Sequence, residues 1–547
     1  MQAAQAAGDN AALAAPPDGG LRQGRISSPE PGEIKAAESG EKGDFMSQYA
    51  IGLDNGGTVT KAALFDLEGH EICVASRKTP VFSPQPGYSE RDMEELWQAN
   101  CDCIREVLEH SGVEARDIIG LAVCGHGKGL YLWGKDGKPA YQGIGSTDNR
   151  AWREVEQWYQ DGTFEKVYPQ TCQQMMACQQ AALLRWMKSH KPQVYENIQY
   201  IFSVKDYVRF RLTGQAFCEA TDISGSGLMD VKNGCFSRAL LETLGIGEAY
   251  EALAPLKGSS DLCGGITEEV ACRTGLLPGT PVAGGMFDVD ACAIASAVTK
   301  PGQICTITGT WSINEFISDR PITGTEIAMN SLYAIPGYYL LEESSATSAG
   351  NLEWAIANCI DTKGLTGGAL YDHLARLAGS VEPEDSEVYY LPFLYGSNAH
   401  PLAKASFVGM TSYHTEAHMV RAVYEGVAYS HRTHIDKLLS VAQKPERIRM
   451  AGGAVNSPFW VQMFADVLGC AMETVDGVKE LGALGCAMAA CVAAGVYADY
   501  EEAAEKMVRI NPPVYPDPRR HEIYEKKYQK YRAVVQALDA VWQQFTV

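Results

Sequence analysis

The sequence predicts an α/β protein built of two lobes. At 547 residues, the chain is longer than one hydrophobic core usually organises, which favours two lobes of roughly 200 to 250 residues each. Hydrophobic residues make up 46% and charged residues 21% of the chain, which is typical of a folded globular protein. Each half also opens on the same pattern, two apolar runs joined by a turn that contains Gly and Thr.

The first residues differ in composition from the rest of the chain. Residues 1–45 are rich in Ala, Gly, Pro, Ser and Glu and lack the apolar stretch of a signal peptide, so we expect a disordered extension. At Met46 the folded unit begins, or an alternative start lies there. Because Lys300-Pro301-Gly302 interrupts the later pattern, we expect a first lobe over 46–298 and a second lobe over 299–547.

The first lobe reads as three strands, a helix and a further strand. Apolar runs at 49–54, 61–67 and 71–76 predict a three-stranded meander. A helix is predicted from Asp92, where Glu95 follows three residues on, to Gly112. Residues 117–124 form another apolar run and predict a buried strand.

The second lobe repeats this character. Residues 303–312 predict a strand, a turn and a strand, followed by a helix over 417–441, a strand over 447–450 and a helix over 458–468. The stretch 481–498 is almost uncharged and reaches the length of a membrane span. It consists mostly of Ala, Gly, Cys and Met, which favours a buried helix over a membrane helix.

Charge and cysteine usage narrow the class of partner. With 46 Lys+Arg against 67 Asp+Glu, the formal charge is −21, so the surface repels nucleic acid and anionic lipid and suits a small neutral substrate. The 16 cysteines include no CxxC pair. They predict reduced, buried thiols in a cytoplasmic protein rather than a disulfide or zinc framework.

Two turns could hold phosphate. Asp54-Asn-Gly56-Gly57-Thr58 follows an apolar run, and its glycines let successive amides face one concavity, while Asp54 could orient Mg²⁺ or its waters. A tight hairpin alone would recruit the same residues. The second turn, at Gly309-Thr310, strengthens the phosphate interpretation, because a nucleotide clamped between lobes needs one turn from each.

Asp288 is the candidate catalytic residue. An apolar strand, a Gly pair and then Asp288 bring a carboxylate to the predicted start of a small-residue helix. Asp288 could instead serve only as a helix cap, and Asp290 is the rival carboxylate.

Three spaced segments resemble the FGGY carbohydrate kinases and occur in that family's order: 203–214, 405–425 and 452–466. The resemblance covers 49–545 and is strongest to the bacterial L-xylulose kinase branch, in which Leu183 and Trp311 occur. Gly57 stands where the commonest family turn has Thr, so a hydroxyl contact is lost there while the backbone amide remains.

The resemblance implies an actin-like ATPase fold of two ribonuclease-H-like lobes with a nucleotide cleft between them. It implies transfer of the ATP γ-phosphoryl to a terminal hydroxyl of a ketopentose, L-xylulose first, with Asp288 as base and Asp54 organising Mg²⁺. Gly56 and Lys61 flank the first turn and belong to the predicted nucleotide site. The other residues implied to lie along the nucleotide are Gly57, Thr58, Gly309, Thr310, Gly350, Gly453 and Asn456.

For the sugar, the matching residues are Gly127 and Lys128, with Arg91 and Asp92 beside the pocket. Asp92 could serve only as a helix cap. Asp206 could reach a sugar hydroxyl or could hold Arg209 or Arg211 in a structural pair. His126 is predicted to be packed rather than to carry a proton.

Two other readings of the function stay open. A kinase of the same family could act on D-xylulose, L-ribulose, rhamnulose, erythritol or glycerol. A non-kinase actin-like ATP-binding protein would lose ATP without needing sugar, although the carboxylate of Asp288 and segment 125–129 speak against it. Related kinases are often dimers, so a homodimer is one assembly open to this chain.

Overall fold

The computed structural model describes residues 48–324, 327–397, 399–400 and 402–545. The predicted extension at 1–45 and the change of composition at Met46 lie outside these residues. Short 3₁₀ helices occur at Ala115–Asp117, Gly247–Ala252, Pro383–Asp385 and Gly453–Asn456.

The first half is built mainly around one sheet. Its strands are β1 (Tyr49–Asn55), β2 (Val59–Asp66), β3 (Glu71–Lys78), β4 (Glu90–Arg91), β5 (Ile118–Gly125), β6 (Tyr131–Gly134), β7 (Gly143–Ile144), β8 (Ile198–Phe202), β9 (Cys218–Glu219), β10 (Met229–Asp230), β11 (Cys235–Phe236), β12 (Leu256–Lys257), β13 (Leu262–Gly265), β14 (Pro281–Ala283) and β15 (Met286–Phe287). Its helices are α1 (Met93–Ser111), α2 (Trp152–Gln160), α3 (Thr163–Thr171), α4 (Gln180–His190), α5 (Pro192–Asn197), α6 (Val204–Thr213), α7 (Ala220–Ser224), α8 (Arg238–Thr243), α9 (Glu268–Thr274) and α10 (Asp288–Ala295).

The second half also contains one large sheet. Its strands are β16 (Ile304–Thr308), β17 (Ser312–Ser318), β18 (Met329–Leu332), β19 (Tyr339–Ser345), β20 (Tyr389–Leu391), β21 (Ser406–Val408), β22 (Arg447–Gly452) and β23 (Ala471–Thr474). Its helices are α11 (Gly350–Asn358), α12 (Gly367–Gly379), α13 (Glu416–Leu439), α14 (Pro458–Leu468), α15 (Leu481–Ala493), α16 (Tyr500–Met507), α17 (Pro518–Ala537) and α18 (Asp539–Trp542).

The two large sheets share the same arrangement of central strands. In the first, the order is β13-β14-β5-β1-β2-β3, with β1 antiparallel to β2 and parallel to β5. In the second, the order is β18-β19-β17-β16-β22-β23, with β16 antiparallel to β17 and parallel to β22. The predicted echo between the halves is therefore confirmed, and each sheet has the ribonuclease-H-like arrangement expected of the actin-like fold.

Local signals placed several helix ends correctly. The carboxylate of Asp92 accepts hydrogen bonds from the N–H groups of Glu94 and Glu95, and Gly112 ends α1 in the left-handed conformation. Both ends agree with the prediction. A side-chain acceptor satisfies the first free amides of a helix, and glycine tolerates the left-handed conformation after the last turn. Helix α14 likewise begins at Pro458 and ends at Leu468, as the sequence predicts.

Helix α15, which contains the almost uncharged stretch, packs on the sheet of the first half. A Cβ atom added at Gly52 of β1 would lie 1.8 Å from the carbonyl oxygen of Ala483, and one added at Gly485 would lie 2.3 Å from that of Ala291 in α10. Small residues therefore allow close strand–helix and helix–helix approach. No described helix has the length and apolarity needed to cross a membrane.

The predicted lobe boundary falls in the connection between α10 and β16. Helix α10 ends at Ala295 and β16 begins at Ile304, on either side of the predicted boundary between 298 and 299. Because α15 from the second half packs against β1, a single cut in the chain does not separate all contacts. The lobe limits 46–298 and 299–547 stay a prediction.

Candidate active site

The carboxyl ends of neighbouring strands bring two acidic residues to one edge of the first sheet. In the parallel pair β1–β5, Asp54 lies opposite Cys124. Strand β15 pairs with the same end of β5, placing Met286 opposite Cys124, and α10 begins directly afterwards at Asp288. Ligands of α/β sheets bind beyond the carboxyl ends of the strands, so this edge is the candidate site.

The Gly pair before Asp288 is required by close backbone contact. Gly285 has φ of 76°, and a Cβ atom there would lie 1.9 Å from the carbonyl oxygen of Val123. At Gly284 an added Cβ atom would lie 2.1 Å from the carbonyl oxygen of Gly258. Only glycine fits both positions. The two glycines allow the backbone to lie close to β5 before α10 begins.

Asp288 is the first helical residue of α10 rather than its cap. The N-cap is Phe287, whose side chain makes no capping hydrogen bond, so the capping alternative for Asp288 is not seen. Burial raises the pKa of Asp288 well above its usual value, and the neighbouring carboxylates of Asp54 and Asp222 add to this rise. The ammonium of Lys128 opposes it, because a nearby cation favours the ionised form.

Asp54 lies beside a cation held by the other half of the chain. It is the cross-strand partner of Lys61 in the hairpin β1–β2, and the ammonium of Lys61 lies 2.6 Å from Oε2 of Glu480. Burial raises the pKa of Asp54, Lys61 lowers it, and Glu480 raises it again. The site thus holds one carboxylate whose ionisation depends on Lys61.

The first turn is held from behind by Arg91. This buried guanidinium donates to the carbonyl oxygens of Gly56 and Gly57. Gly57 and Thr58 are exposed, and their N–H groups donate to no acceptor in the part of the chain that the structure describes. The turn therefore presents free amides, and Arg91, predicted to lie beside the sugar, contacts this turn.

The second turn gathers the remaining predicted nucleotide residues at the edge of the second sheet. Thr308 ends β16 opposite Gly452 of β22, directly before Gly309 and Thr310. A Cβ atom added at Gly350 would lie 3.2 Å from Cγ2 of Thr310. The side chain of Asn456 donates to the carbonyl oxygen of Gly453 at 3.2 Å, in the short helix that follows β22.

The segment after β5 supplies a buried cation. Gly127 packs on the ring of Phe287, since an added Cβ atom would lie 2.3 Å from it. Lys128 adopts φ of 63°, a conformation that non-glycine residues rarely adopt. His126 is buried with Nε2 3.0 Å from the hydroxyl of Tyr131, and burial lowers its pKa to about 3, which agrees with a packed, neutral histidine.

A cavity of about 530 Å³ lies between the two halves. Asn149 and Cys178 line it from the first half, and Thr310, Trp311 and Tyr395 line it from the second. The carbonyl oxygen of Cys178 accepts from the N–H of Gly129 at 2.8 Å, so this cavity adjoins the Lys128 segment. Its volume suits a small-molecule ligand.

Comparison with known proteins identifies the family. Residues 49–295 match the N-terminal domain and residues 305–494 the C-terminal domain of the FGGY family of carbohydrate kinases. The chain belongs to this family. It is therefore a phosphotransferase that acts on a sugar hydroxyl with ATP as donor, and its fold is the predicted actin-like ATPase fold.

Individual relatives agree with this assignment. The chain is 39% identical to the L-xylulose/3-keto-L-gulonate kinase of Escherichia coli, over 90% of this chain and 98% of that protein. It is 36% identical to a probable L-xylulose kinase of Pasteurella multocida, over 90% and 99% of the two chains. The crystal structure of gluconate kinase from Lactobacillus acidophilus shares the fold, with a TM-score of 0.83 and 24% identity over 91% of this chain and 100% of that one.

Two residues predicted for the sugar site of this FGGY kinase have structural partners. The carboxylate of Asp206 is fully buried and lies 2.9 Å from both Lys205 and Arg209, and it also accepts from the N–H of Glu219. This favours the structural pair, formed with Arg209 rather than Arg211. Asp92 is exposed and caps α1, which is the alternative role that the sequence left open for it.

Sequence reasoning missed acidic residues that reach this kinase site from the second half. Glu480 pairs with Lys61, and Glu342 of β19 lies 3.9 Å from the ammonium of Lys128. Glu315 of β17 is the cross-strand partner of Glu342 and is fully buried. Acidic residues inside otherwise apolar strands were the available signal. Burying a charge is costly unless it is paired, so such residues indicate a partner or a site.

Proposed function

We propose that this FGGY kinase transfers the γ-phosphoryl of ATP to a terminal hydroxyl of a ketopentose, L-xylulose first. The observation that carries the proposal is the position of Asp288, at the first residue of α10 and at the strand edge that also holds Asp54. The choice of sugar is supported by the names of the relatives at 39% and 36% identity.

Asp288 acts as the base in this mechanism. The hydroxyl oxygen of the sugar bonds to the γ-phosphorus, the bond from that phosphorus to the bridging oxygen of ADP breaks, and the hydroxyl proton passes to the Asp288 carboxylate. Phosphoryl transfer has a loose transition state, so alignment and charge stabilisation contribute most of the rate. A carboxylate can accept the proton late in the reaction.

The two turns are proposed to hold the nucleotide phosphates. In this proposal the free N–H groups of Gly57 and Thr58 supply donors from the first half, and the turn at Gly309 and Thr310 contributes from the second. Successive backbone amides in a turn form an anion-binding concavity. Because the surface carries a formal charge of −21, phosphate charge has to be met by such local donors.

Asp54 fits a role beside Mg²⁺. It lies at the same strand edge as Asp288, and no group of three or more His, Cys, Asp or Glu side chains suited to a metal occurs in the described ranges. Mg²⁺ in kinases is held by one or two carboxylates together with substrate phosphates, so one Asp is sufficient here. When bound, the ion neutralises charge that develops on the phosphates.

The identity of the sugar is the most specific part of the proposal. The Escherichia coli relative is named for both L-xylulose and 3-keto-L-gulonate, so both compounds belong in the substrate panel with D-xylulose, L-ribulose, rhamnulose, erythritol and glycerol. A cytoplasmic location and a homodimer stay predictions.

A coupled ADP-release assay with MgATP and this panel tests the proposal. We expect ADP release that depends on L-xylulose and falls by roughly a hundredfold or more in Asp288→Asn, with nucleotide binding retained. Asp290→Asn is the matched control, because the Asp290 carboxylate accepts from the N–H of Ala334 at 3.0 Å and an amide oxygen can keep that bond. ADP release that ignores sugar and survives in Asp288→Asn would contradict the proposal.

A further inference from the structure

Glu342 brings a carboxylate from the second half to the buried cation of the first half. It lies in β19, and its Oε1 is 3.9 Å from the ammonium of Lys128. Burial alone would lower the pKa of Lys128, but Glu342, Cys178 and Asp288 outweigh this effect and raise it. Lys128 therefore favours its charged form, and the carboxylate that forms an ion pair with it comes from the second half.

One oxygen of Glu342 has no partner. Oε1 accepts from the hydroxyl of Ser344 at 2.5 Å, whereas Oε2 is buried and bonds to no group in the described residues. Glu342 is only 4% exposed. An unsatisfied buried acceptor is costly, so such an oxygen at a substrate site indicates a hydrogen bond that a ligand completes.

Glu315 does not share this position, although it lies opposite Glu342 in the sheet. Glu342 is among the groups that raise the pKa of Asp288, next in effect to Asp54 and Asp222. Burial raises the pKa of Glu315, and Asp290 and Glu342 raise it further. Asp288 also raises the pKa of Glu315. Of this pair, Glu342 is the residue that forms an ion pair with Lys128.

We propose that Glu342 is a specificity-determining residue of the sugar site. Its Oε2 accepts a hydrogen bond from a sugar hydroxyl, while its Oε1 holds Lys128 in place. The second half then contributes a sugar contact as well as phosphate contacts, and the sugar site is complete only with both halves together. This inference rests on the proposed function.

Steady-state kinetics of Glu342→Ala and Glu342→Gln test the role, with the sugar that gives the fastest ADP release in the unmodified protein. Glu342→Ala is expected to raise KM for that sugar by roughly tenfold or more, which is the range for losing a hydrogen bond to a charged group. KM for ATP should stay within about twofold, because the described side-chain contacts of Glu342 are with Lys128 and Ser344 and with neither turn. Glu342→Gln keeps an acceptor oxygen, so its KM for the sugar should lie between that of the unmodified protein and that of Glu342→Ala.

Controls separate this role from a structural one. Glu353→Gln changes an exposed glutamate of α11 and should leave every constant unchanged. Equal sugar KM values in Glu342→Ala and the unmodified protein, with equal thermal stability, would overturn the Glu342 proposal and leave the proposed function standing. A sugar KM that rises only together with a lower melting temperature would also overturn it. Sugar-independent ADP release by the unmodified protein would instead remove the proposed function itself.

Discussion

Asp54 and Lys61 face each other across the first hairpin, and Lys61 is held from the other half of the chain by Glu480. The pair places a cation beside the carboxylate proposed to organise Mg²⁺. Lys61 and Glu480 act on Asp54 with opposite sign, since Lys61 lowers the pKa of Asp54 and Glu480 raises it. The Mg²⁺ dependence of the reaction should therefore report the balance of these two charges.

Substitution of Lys61 should weaken the use of Mg²⁺. Lys61→Met removes the cation that favours ionised Asp54, so we expect a higher Mg²⁺ requirement and a lower kcat/KM for MgATP. The loss should grow as pH falls, because Asp54 then protonates earlier. Initial rates over a Mg²⁺ titration at two pH values measure both effects.

Glu480→Gln provides the opposite perturbation. It removes the charge that raises the pKa of Asp54, so the Mg²⁺ requirement should depend less on pH than in the unmodified protein. If Lys61→Met and Glu480→Gln changed the pH dependence of the Mg²⁺ requirement in the same direction, the electrostatic account of Asp54 would be wrong.

Gly57 tests the first turn without disturbing the fold. A Cβ atom added there meets no atom within 4 Å, and Gly57 is not among the residues with positive φ. Gly57→Ala should keep its melting temperature. The added methyl should crowd a phosphate held by this turn and raise KM for ATP by roughly tenfold, a loss of about 1.4 kcal/mol.

Gly368→Ala is the matched control for Gly57. A Cβ atom at Gly368 in α12 also meets no atom within 4 Å, and this position is far along the chain from both turns. It should leave KM for ATP unchanged. Equal ATP constants for the two variants would contradict phosphate binding by the first turn.

Local signals in the sequence were sufficient for the hairpins, the ends of α1 and α14, and the position of Asp288. The Gly pair and the change from strand to helix marked Asp288 because both features act within a few residues. Glu342 was not predictable in this way. It and Glu343 are neighbours in β19, yet Glu342 approaches Lys128 while Glu343 contacts His434 and Lys437. Alternation in a strand separates the two faces, but only tertiary packing decides which face meets the site.

Arg91 and Asp206 illustrate a second limit. Each is a polar residue in a segment that resembles sugar-kinase sequence. In this structure Arg91 donates to the carbonyl oxygens of Gly56 and Gly57, and Asp206 pairs with Lys205 and Arg209. A single sequence shows that such a residue is present but not which partner reaches it first. The buried cluster around Asp206 depends on Glu219 and Asp222, which lie on β9 and α7.

Asp206 should therefore affect stability rather than sugar binding. Asp206→Asn leaves Lys205 and Arg209 with one fewer buried carboxylate, and loss of one partner of a buried ion pair costs about 3 to 5 kcal/mol. Chemical denaturation should show this loss. At a temperature where the variant is folded, its sugar KM should match that of the unmodified protein.

Asp92→Ala gives the comparison for Asp206. It removes the cap of α1, which costs about 1 kcal/mol, and it too should leave sugar KM unchanged. A sugar KM raised tenfold in Asp206→Asn, at full folding, would favour the hydroxyl-contact alternative instead.

Asp288→Asn should stabilise the protein while it abolishes catalysis. The pKa of Asp288 is raised in the folded state, so between its unfolded value of about 3.9 and its folded value the native state binds more protons than the unfolded state. Stability then falls as pH rises through this window. Asparagine has no charge to bury, so the variant should melt higher than the unmodified protein above the raised pKa, by roughly 2 °C or more.

The difference in melting temperature should shrink as pH falls toward the unfolded value of about 3.9, below which Asp288 is protonated in both states. Melting curves without nucleotide between pH 4.5 and 8 measure this trend. Asp372→Asn alters an exposed carboxylate of α12 and should give no pH-dependent gain. If Asp288→Asn melted lower than the unmodified protein at pH 8, the ionised Asp288 would be stabilised by its surroundings, and the account of a base held in a carboxylate-rich, buried site would be wrong.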